Sequence, residues 1–208
     1  MNEDEAKLYL KDSLNFSLYD LERLEKFRKY LLEYNKKYNL ISSNTEETIW
    51  SRHILDSAQI LRFLSVENNI KIVDLGSGAG FPGIIIAILS NSTKLHVKLF
   101  EKSPVKREFL NIIKKKLDLK VVISNNVNDE IIDGDIIVSR AFKKLDQIIR
   151  ISRENAKKPH KLIILKGKNA QAEINKVSLD DNYSYKLEKS VTDIDSKIII
   201  IDVKKNGQ

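Results

Sequence analysis

An α/β fold built on a mostly parallel, doubly wound sheet is predicted by three observations. From Ile70 onward, short Ile- and Val-rich runs alternate with amphipathic helical stretches, the signature of βαβ units. The segment Ile70–Gly83 reads IKIVDLGSGAGFPG, a β-branched strand that stops at an acid and passes through a glycine-rich turn into an apolar helix. At 208 residues the chain suits one such domain with an extension, and buries roughly 70% of its unfolded surface. We read a helical extension over residues 1–64 and a sheet domain over 65–208, joined as one compact unit without repeats or a Pro-, Gly- or Ser-rich linker.

The N-terminal MNEDEAKLYL is acidic and amphipathic, lacking the basic start and apolar centre of a signal peptide. Ser17-Leu18-Tyr19-Asp20 forms a capping box with Asp in place of Glu, and Leu21, Leu24, Leu31, Tyr34 and Tyr38 follow at helical spacing, predicting a helix over 18–38. Its other face carries Lys26, Arg28, Lys29, Lys36 and Lys37, a face for solvent or for phosphates. A second helix is expected over roughly 45–64, with Trp50, Arg52, His53, Ile54, Asp56 and Ser57. Strands are expected over 70–74, 95–100, 120–123, 135–138, 161–165, about 184–191 and 197–203, with helices near 82–90, 104–117 and 143–153. Only Thr192–Ser196 separates the last two strands, so they form an antiparallel hairpin at the edge of a seven-stranded sheet with one reversed strand.

Composition narrows the chemistry. The chain has no cysteine, which excludes disulfides, thiolate metal sites and cysteine nucleophiles, and its three histidines (His53, His96, His160) are too scattered to make a metal set. The longest apolar run, Ile84–Leu89, falls far short of the ~18 residues of a membrane span. A cytoplasmic, metal-independent protein is the expectation. The net charge of +7 favours a polyanionic partner, although general lysine richness accounts for it equally well.

Two cofactor classes compete for the glycine turn. Gly78, Gly80 and Gly83 satisfy G-x-G-x-x-G, and Glu101 ends the second strand near the spacing of a dinucleotide's ribose-binding acid. Against that, Asp74 just before the turn would repel a pyrophosphate, and Pro82 removes a helix N-terminal donor. S-adenosylmethionine suits the turn better. Its ammonium complements Asp74 directly or through water, its amino-acid end packs on glycine backbone, and its ribose diol is held by Glu101.

The ordered set VDLGSGAGFPGIIIA, FEKSPVKREFL, VSRAF and LKG, preceded by NLISSNTEETIWSRHILDS, resembles the bacterial small-subunit rRNA guanine-7 methyltransferase family, RsmG, also called glucose-inhibited division protein B. The likeness covers roughly residues 30–170. It implies a Rossmann-like class I S-adenosylmethionine-dependent methyltransferase domain, acting on ring nitrogen 7 of a guanosine in 16S rRNA, nucleotide 527 in the small-subunit decoding region. By resemblance, Gly76 and Phe81 contact the cofactor, Glu101 is the ribose acid, Val127-Asn128 occupies the adenine-edge position commonly held by Ala-Glu, and Arg140 is the arginine of the SRA motif. The departure at Val127-Asn128 removes an acid, leaving backbone contacts there.

The residues argue for the same chemistry. After the fourth strand, where amine-methylating enzymes of this architecture place a motif such as Asn-Pro-Pro-Tyr, the chain reads Val138-Ser139-Arg140-Ala141-Phe142. Exocyclic amine methylation is therefore disfavoured, and a cysteine adduct is impossible. Nitrogen 7 of guanine already offers a lone pair, so its attack on a sulfonium methyl needs alignment more than a base. Arg140 is expected to orient the base, contact the cofactor's methionine end, or both; as an alternative it is an ordinary ion pair at a strand end. Lys166 is a second catalytic candidate for base or phosphate contact, or a solvated lysine. His53 with Asp56 is substrate-facing or a local structural pair, and Lys106-Arg107 and Lys114-Lys115-Lys116 face RNA or merely solvent. The partner is 16S rRNA, the small subunit or its precursor, met by a monomer. A small-molecule methyltransferase and a non-catalytic nucleotide-binding regulator remain the alternatives.

Overall fold

In a computed structural model, residues 1–64, 69–90, 95–156 and 158–204 are described. Residue 65, where the sheet domain is expected to begin, lies outside them. Helix α1 (Glu3–Leu14) opens on a capping box between Asn2 and Glu5. Helix α2 (Leu18–Tyr38) opens on the expected one: Asp20 N donates to Ser17 Oγ at 3.1 Å and Ser17 N to Asp20 Oδ2 at 2.9 Å. The stripe of α2 that is buried runs through Leu24, Phe27 and Leu31, while Leu21 and Tyr34 are only partly covered and Tyr38 is exposed.

The single helix expected over 45–64 is replaced by a broken run. Ser43–Thr45 is a 3-10 turn, Trp50–Leu55 is wound as a π-helix, α3 (Asp56–Ala58) is one α turn, and Gln59–Phe63 is 3-10 again. Changes of winding rephase the side chains. Trp50, Ile54 and Leu55 enter the core, while Arg52 and His53 remain outside it.

The sheet follows the predicted alternation, with α7 added to the helices expected: β1 (Lys71–Leu75), α4 (Gly83–Ser90), β2 (His96–Phe100), α5 (Pro104–Lys116), β3 (Val121–Ser124), β4 (Ile136–Arg140), α6 (Leu145–Asn155), β5 (His160–Lys166), α7 (Ala170–Ile174), β6 (Tyr183–Lys189) and β7 (Lys197–Val203). Strand order is β3-β2-β1-β4-β5-β7-β6, and β1 to β5 pair in parallel. β7 runs antiparallel between β5 and β6, so it is the reversed strand and the hairpin forms that edge. Alternate side chains of each strand point to opposite faces. Ile72, Val138, Ile163 and Ile200 pack with α1, α2, α4 and α5; Val73, Ile137, Ile164 and Ile201 pack with α6 and α7. The N-terminal helices thus share one core with half of the sheet domain.

Buried Arg23 fastens that junction. From α2 its guanidinium donates to the carbonyls of Ile88 in the last turn of α4, at 2.9 Å, and of Leu117 at the end of α5, at 2.5 Å. Carbonyls at helix C-termini lack intrahelical donors and carry partial negative charge, which suits a guanidinium. Among the described residues no helix is long and apolar enough to cross a membrane.

Candidate active site

The parallel order puts the carboxyl ends of β1, β2 and β4 side by side, where ligands bind in sheets of this kind. The turn after β1 is fastened at several points. Gly76 N and Ser77 N both donate to the carbonyl of Phe100, at 2.9 and 3.0 Å, and Gly83 N donates to Asp74 Oδ2 at 2.9 Å. Gly76 has φ +71°, and a Cβ there would lie 2.1 Å from the Phe142 ring; a Cβ on Gly83 would lie 2.6 Å from Asp74 Oδ2. A side chain at Gly76 would displace the Phe142 ring, which lines the site, and one at Gly83 would displace Asp74 behind it.

Glu101 lies immediately beyond β2 and accepts two backbone bonds, from Gly78 N and Ser103 N, each at 2.8 Å. Arg107, expected to face RNA or solvent, instead ties the same corner together by donating to the carbonyls of Glu101 and Lys102 and to Asn125 Oδ1, at 2.9, 2.7 and 2.7 Å. A cavity of about 800 Å³ opens here, within the range of small-molecule sites. Gly76, Gly78, Phe81, Glu101, Val127, Asn128 and Arg140 all line it, together with Phe100, Lys106 and Phe142.

Asp74 takes a different place from the other candidates. It is fully buried behind the turn, and burial pushes its carboxyl up to about 7. Oδ2 holds Gly83, while Oδ1 has no hydrogen-bond partner among the described residues. Lys166 lines a second, smaller cavity, but its Nζ is already engaged, donating to the Lys143 carbonyl at 2.7 Å and pairing with Glu173 at 2.8 Å. This is a tertiary pairing that the tripeptide LKG does not reveal.

Arg140 stands between the large cavity and a second one of about 320 Å³, and His53 and Ala141 also line both. Nη1 donates to the Arg52 carbonyl at 3.0 Å and approaches Asp56 Oδ2 at 3.4 Å, and Nη2 lies 2.8 Å from His53 Nδ1. The guanidinium also lies over the Phe81 ring, 4.7 Å from its centroid. These contacts leave, among the described residues, Nε–H and one Nη2 hydrogen for a ligand. Asp56 is held in turn by Thr192 and Gln59, each at 2.9 Å, so the π-helical run, the end of β4 and the β6–β7 turn meet at this one ion pair. Burial pushes the Asp56 carboxyl up and the Arg140 guanidinium down, each opposed by its partner's charge. His53 stacks on Phe81 at 5.1 Å between centroids, and burial, then the charges of Arg140 and Arg52, drive its imidazole down to about 3. Among the described residues no group of three or more His, Cys, Asp or Glu is placed to hold a metal ion.

A family model described as rRNA small subunit methyltransferase G matches residues 20–199. The ribosomal RNA small subunit methyltransferase G of Pelagibacter ubique is 37% identical over 185 residues, covering 86% of this chain and 85% of that protein. The protein of the same name from Orientia tsutsugamushi is 36% identical over 186 residues, covering 88% and 91%. Among solved structures, a putative class I S-adenosylmethionine-dependent methyltransferase from Listeria monocytogenes superposes with a TM-score of 0.66 at 12% identity, covering 91% of this chain and 70% of that one. A mutant of MtNAS in complex with S-adenosylmethionine gives 0.58 at 15% identity, covering 98% and 84%.

Proposed function

The chain belongs to the rRNA small subunit methyltransferase G family, and from that premise we propose that this S-adenosylmethionine-dependent methyltransferase of 16S rRNA delivers its methyl group to ring nitrogen 7 of a guanosine. The observation that carries the reading is the pair of adjoining cavities divided by Arg140. The larger is roomy enough for the cofactor, and the smaller offers an acceptor base a place on the other side of the same residue.

The residues present fit the cofactor. Glu101, already receiving N–H bonds at the cavity wall, offers carboxylate oxygens to a ribose diol. Gly76 and Gly78 present bare backbone to the amino-acid end beside Phe81, and Val127 and Asn128, which the resemblance assigns to the adenine edge, line the same cavity. Above about pH 7 the carboxylate of Asp74, whose Oδ1 has no hydrogen-bond partner among the described residues, would place buried negative charge behind the turn, complementary to a cationic ligand. When bound, S-adenosylmethionine supplies an electrophilic sulfonium methyl.

The protein's part in the chemistry is alignment. Guanine nitrogen 7 attacks through its lone pair, so a hydrogen-bond donor on that atom would block the reaction. Arg140 therefore cannot read the base in the bidentate fashion that arginine uses on a duplex. Its free N–H groups serve the neighbouring carbonyl oxygen of guanine or the cofactor's carboxylate. Positive charge passes from sulfonium to base as the methyl moves, and Asp56 offsets the charge of Arg140 beside that path. Lys166 supports the second cavity through Glu173 and Lys143 rather than presenting a free ammonium.

We assign nucleotide 527 as the target, and a monomer in the cytoplasm as the acting form, on the resemblance alone. Methyl-labelled cofactor incubated with 16S rRNA or small subunits lacking the modification, followed by mass spectrometry of digested nucleosides, tests the reading. Label in 7-methylguanosine supports it; label on an exocyclic amine, or transfer only to small molecules, rejects it.

A further inference from the structure

Arg140 is held by the N-terminal helical run through a short chain of hydrogen bonds whose direction admits no alternative. Thr45 Oγ1 lies 2.7 Å from the Ser42 carbonyl, His53 Nε2 lies 2.8 Å from Thr45 Oγ1, and Arg140 Nη2 lies 2.8 Å from His53 Nδ1. A guanidinium has no acceptor, so Nδ1 of the imidazole must accept. The ring's single proton then sits on Nε2 and is donated to Thr45, whose own hydroxyl proton goes to a carbonyl that can only accept. We propose that Thr45 and His53 are positioning residues for methyl transfer, which hold Arg140 in the wall between the two cavities by fixing His53 as the neutral Nε2–H tautomer. The assignment rests on the methyltransferase reading above.

Three features support a positioning role over simple packing. His53 and Arg140 both lie against Phe81, a residue of the glycine turn, so a shift of the imidazole moves the arginine relative to the cofactor cavity. The sheet itself offers Arg140 no acceptor in these contacts: Arg52, His53 and Asp56 all come from the helical run. A cationic imidazole would set a donor against the guanidinium, and the surrounding charges of Arg140 and Arg52 disfavour that form.

Two measurements test the proposal on the intact protein. In ¹⁵N-histidine-labelled protein, long-range ¹H–¹⁵N spectra at pH 7, assigned with His53→Asn, should show His53 protonated at Nε2 and not titrating near 6.5. An Nδ1–H tautomer, or an ordinary titration, overturns the assignment. Single-turnover methyl transfer with saturating cofactor and RNA then separates position from binding. Thr45→Val should lose about tenfold or more in rate, with cofactor affinity and melting temperature near those of the wild type, and Thr45→Ser should restore it. Asn places an oxygen near the position of Nδ1, so His53→Asn should keep more of the rate than His53→Leu. Equal rates for Thr45→Val and wild type, or for His53→Asn and His53→Leu, overturn the positioning role. Absence of transfer by the wild type would instead reject the functional reading.

Discussion

The backbone N–H of Gly78 donates to Glu101 Oε2 at 2.8 Å, so the second glycine of the turn and the acid after β2 form one wall of the cofactor cavity. Glu101 therefore fastens the loop and, on the proposed reading, also holds the cofactor's ribose. Glu101→Gln should weaken S-adenosylmethionine binding by about 1–3 kcal/mol, since charge-assisted bonds become neutral ones. Calorimetric titration of the variant measures it, and unchanged affinity would place the ribose elsewhere.

Asp74 should separate stability from binding. Its folded pKa of about 7 lies above the ordinary 3.8, so the folded state holds the proton more tightly. That contribution favours the fold below about pH 4 and is lost as pH rises through 7, leaving a buried carboxylate that costs up to about 4 kcal/mol at pH 8. Asp74→Asn should accordingly be more stable than wild type at pH 8 and equal to it near pH 4, in denaturant titrations without cofactor. The same variant should bind cofactor more weakly by about 1–3 kcal/mol, because it loses the negative charge. A variant destabilised at both pH values would contradict this account.

Arg23 carries a larger structural burden. Arg23→Met keeps the apolar stem but strands the carbonyls of Ile88 and Leu117 without a donor at two helix ends. A loss of about 2–4 kcal/mol is expected in chemical denaturation. If the loss were under half a kilocalorie, water would be satisfying those carbonyls instead.

What could be read from the sequence divides along physical lines. The capping box of α2, the glycine turn, the βαβ alternation and the final hairpin depend on residues close together in the chain, and each is legible to within a few positions. The broken winding from Ser43 to Phe63 is not legible, because Trp50 and Ile54 lie four residues apart and fit the apolar face of one regular helix equally well. Side-chain engagement was also hidden. Nothing local to Lys166 announces Glu173, and nothing near Arg107 announces that it ties the cavity corner to Asn125. The site's residue types were legible; which of them are already committed to one another was not.

Ala141, between Arg140 and Phe142, has φ +51°, a left-handed conformation that costs an L-residue about 1–2 kcal/mol. Ala141→Gly should leave stability unchanged or raise it by up to about 1 kcal/mol, whereas β-branched Ala141→Val should lower it by about 1–2 kcal/mol. Equal melting temperatures for the two variants would show that the segment relaxes.

The pH dependence of methyl transfer follows from which groups titrate at the site. On the proposed reading the acceptor is guanine nitrogen 7, which loses no proton, so the chemical step requires no base. His53, the imidazole closest to Arg140, is driven down to about 3 and stays neutral throughout the working range, while Arg140 stays charged. Asp74 alone among these groups changes state near neutrality, and if its charge attracts the cofactor as proposed, cofactor affinity should rise with pH through about 7. With cofactor saturating, single-turnover transfer to RNA should thus be nearly flat from roughly pH 6.5 to 9, and at subsaturating cofactor it should climb with pH and level off. Arg140→Ala should lower the saturated rate without adding a pH dependence, because alignment and field are lost and no proton acceptor is. A saturated rate rising tenfold per pH unit near neutrality would demonstrate an obligatory base, and nitrogen 7 could not then be the nucleophile.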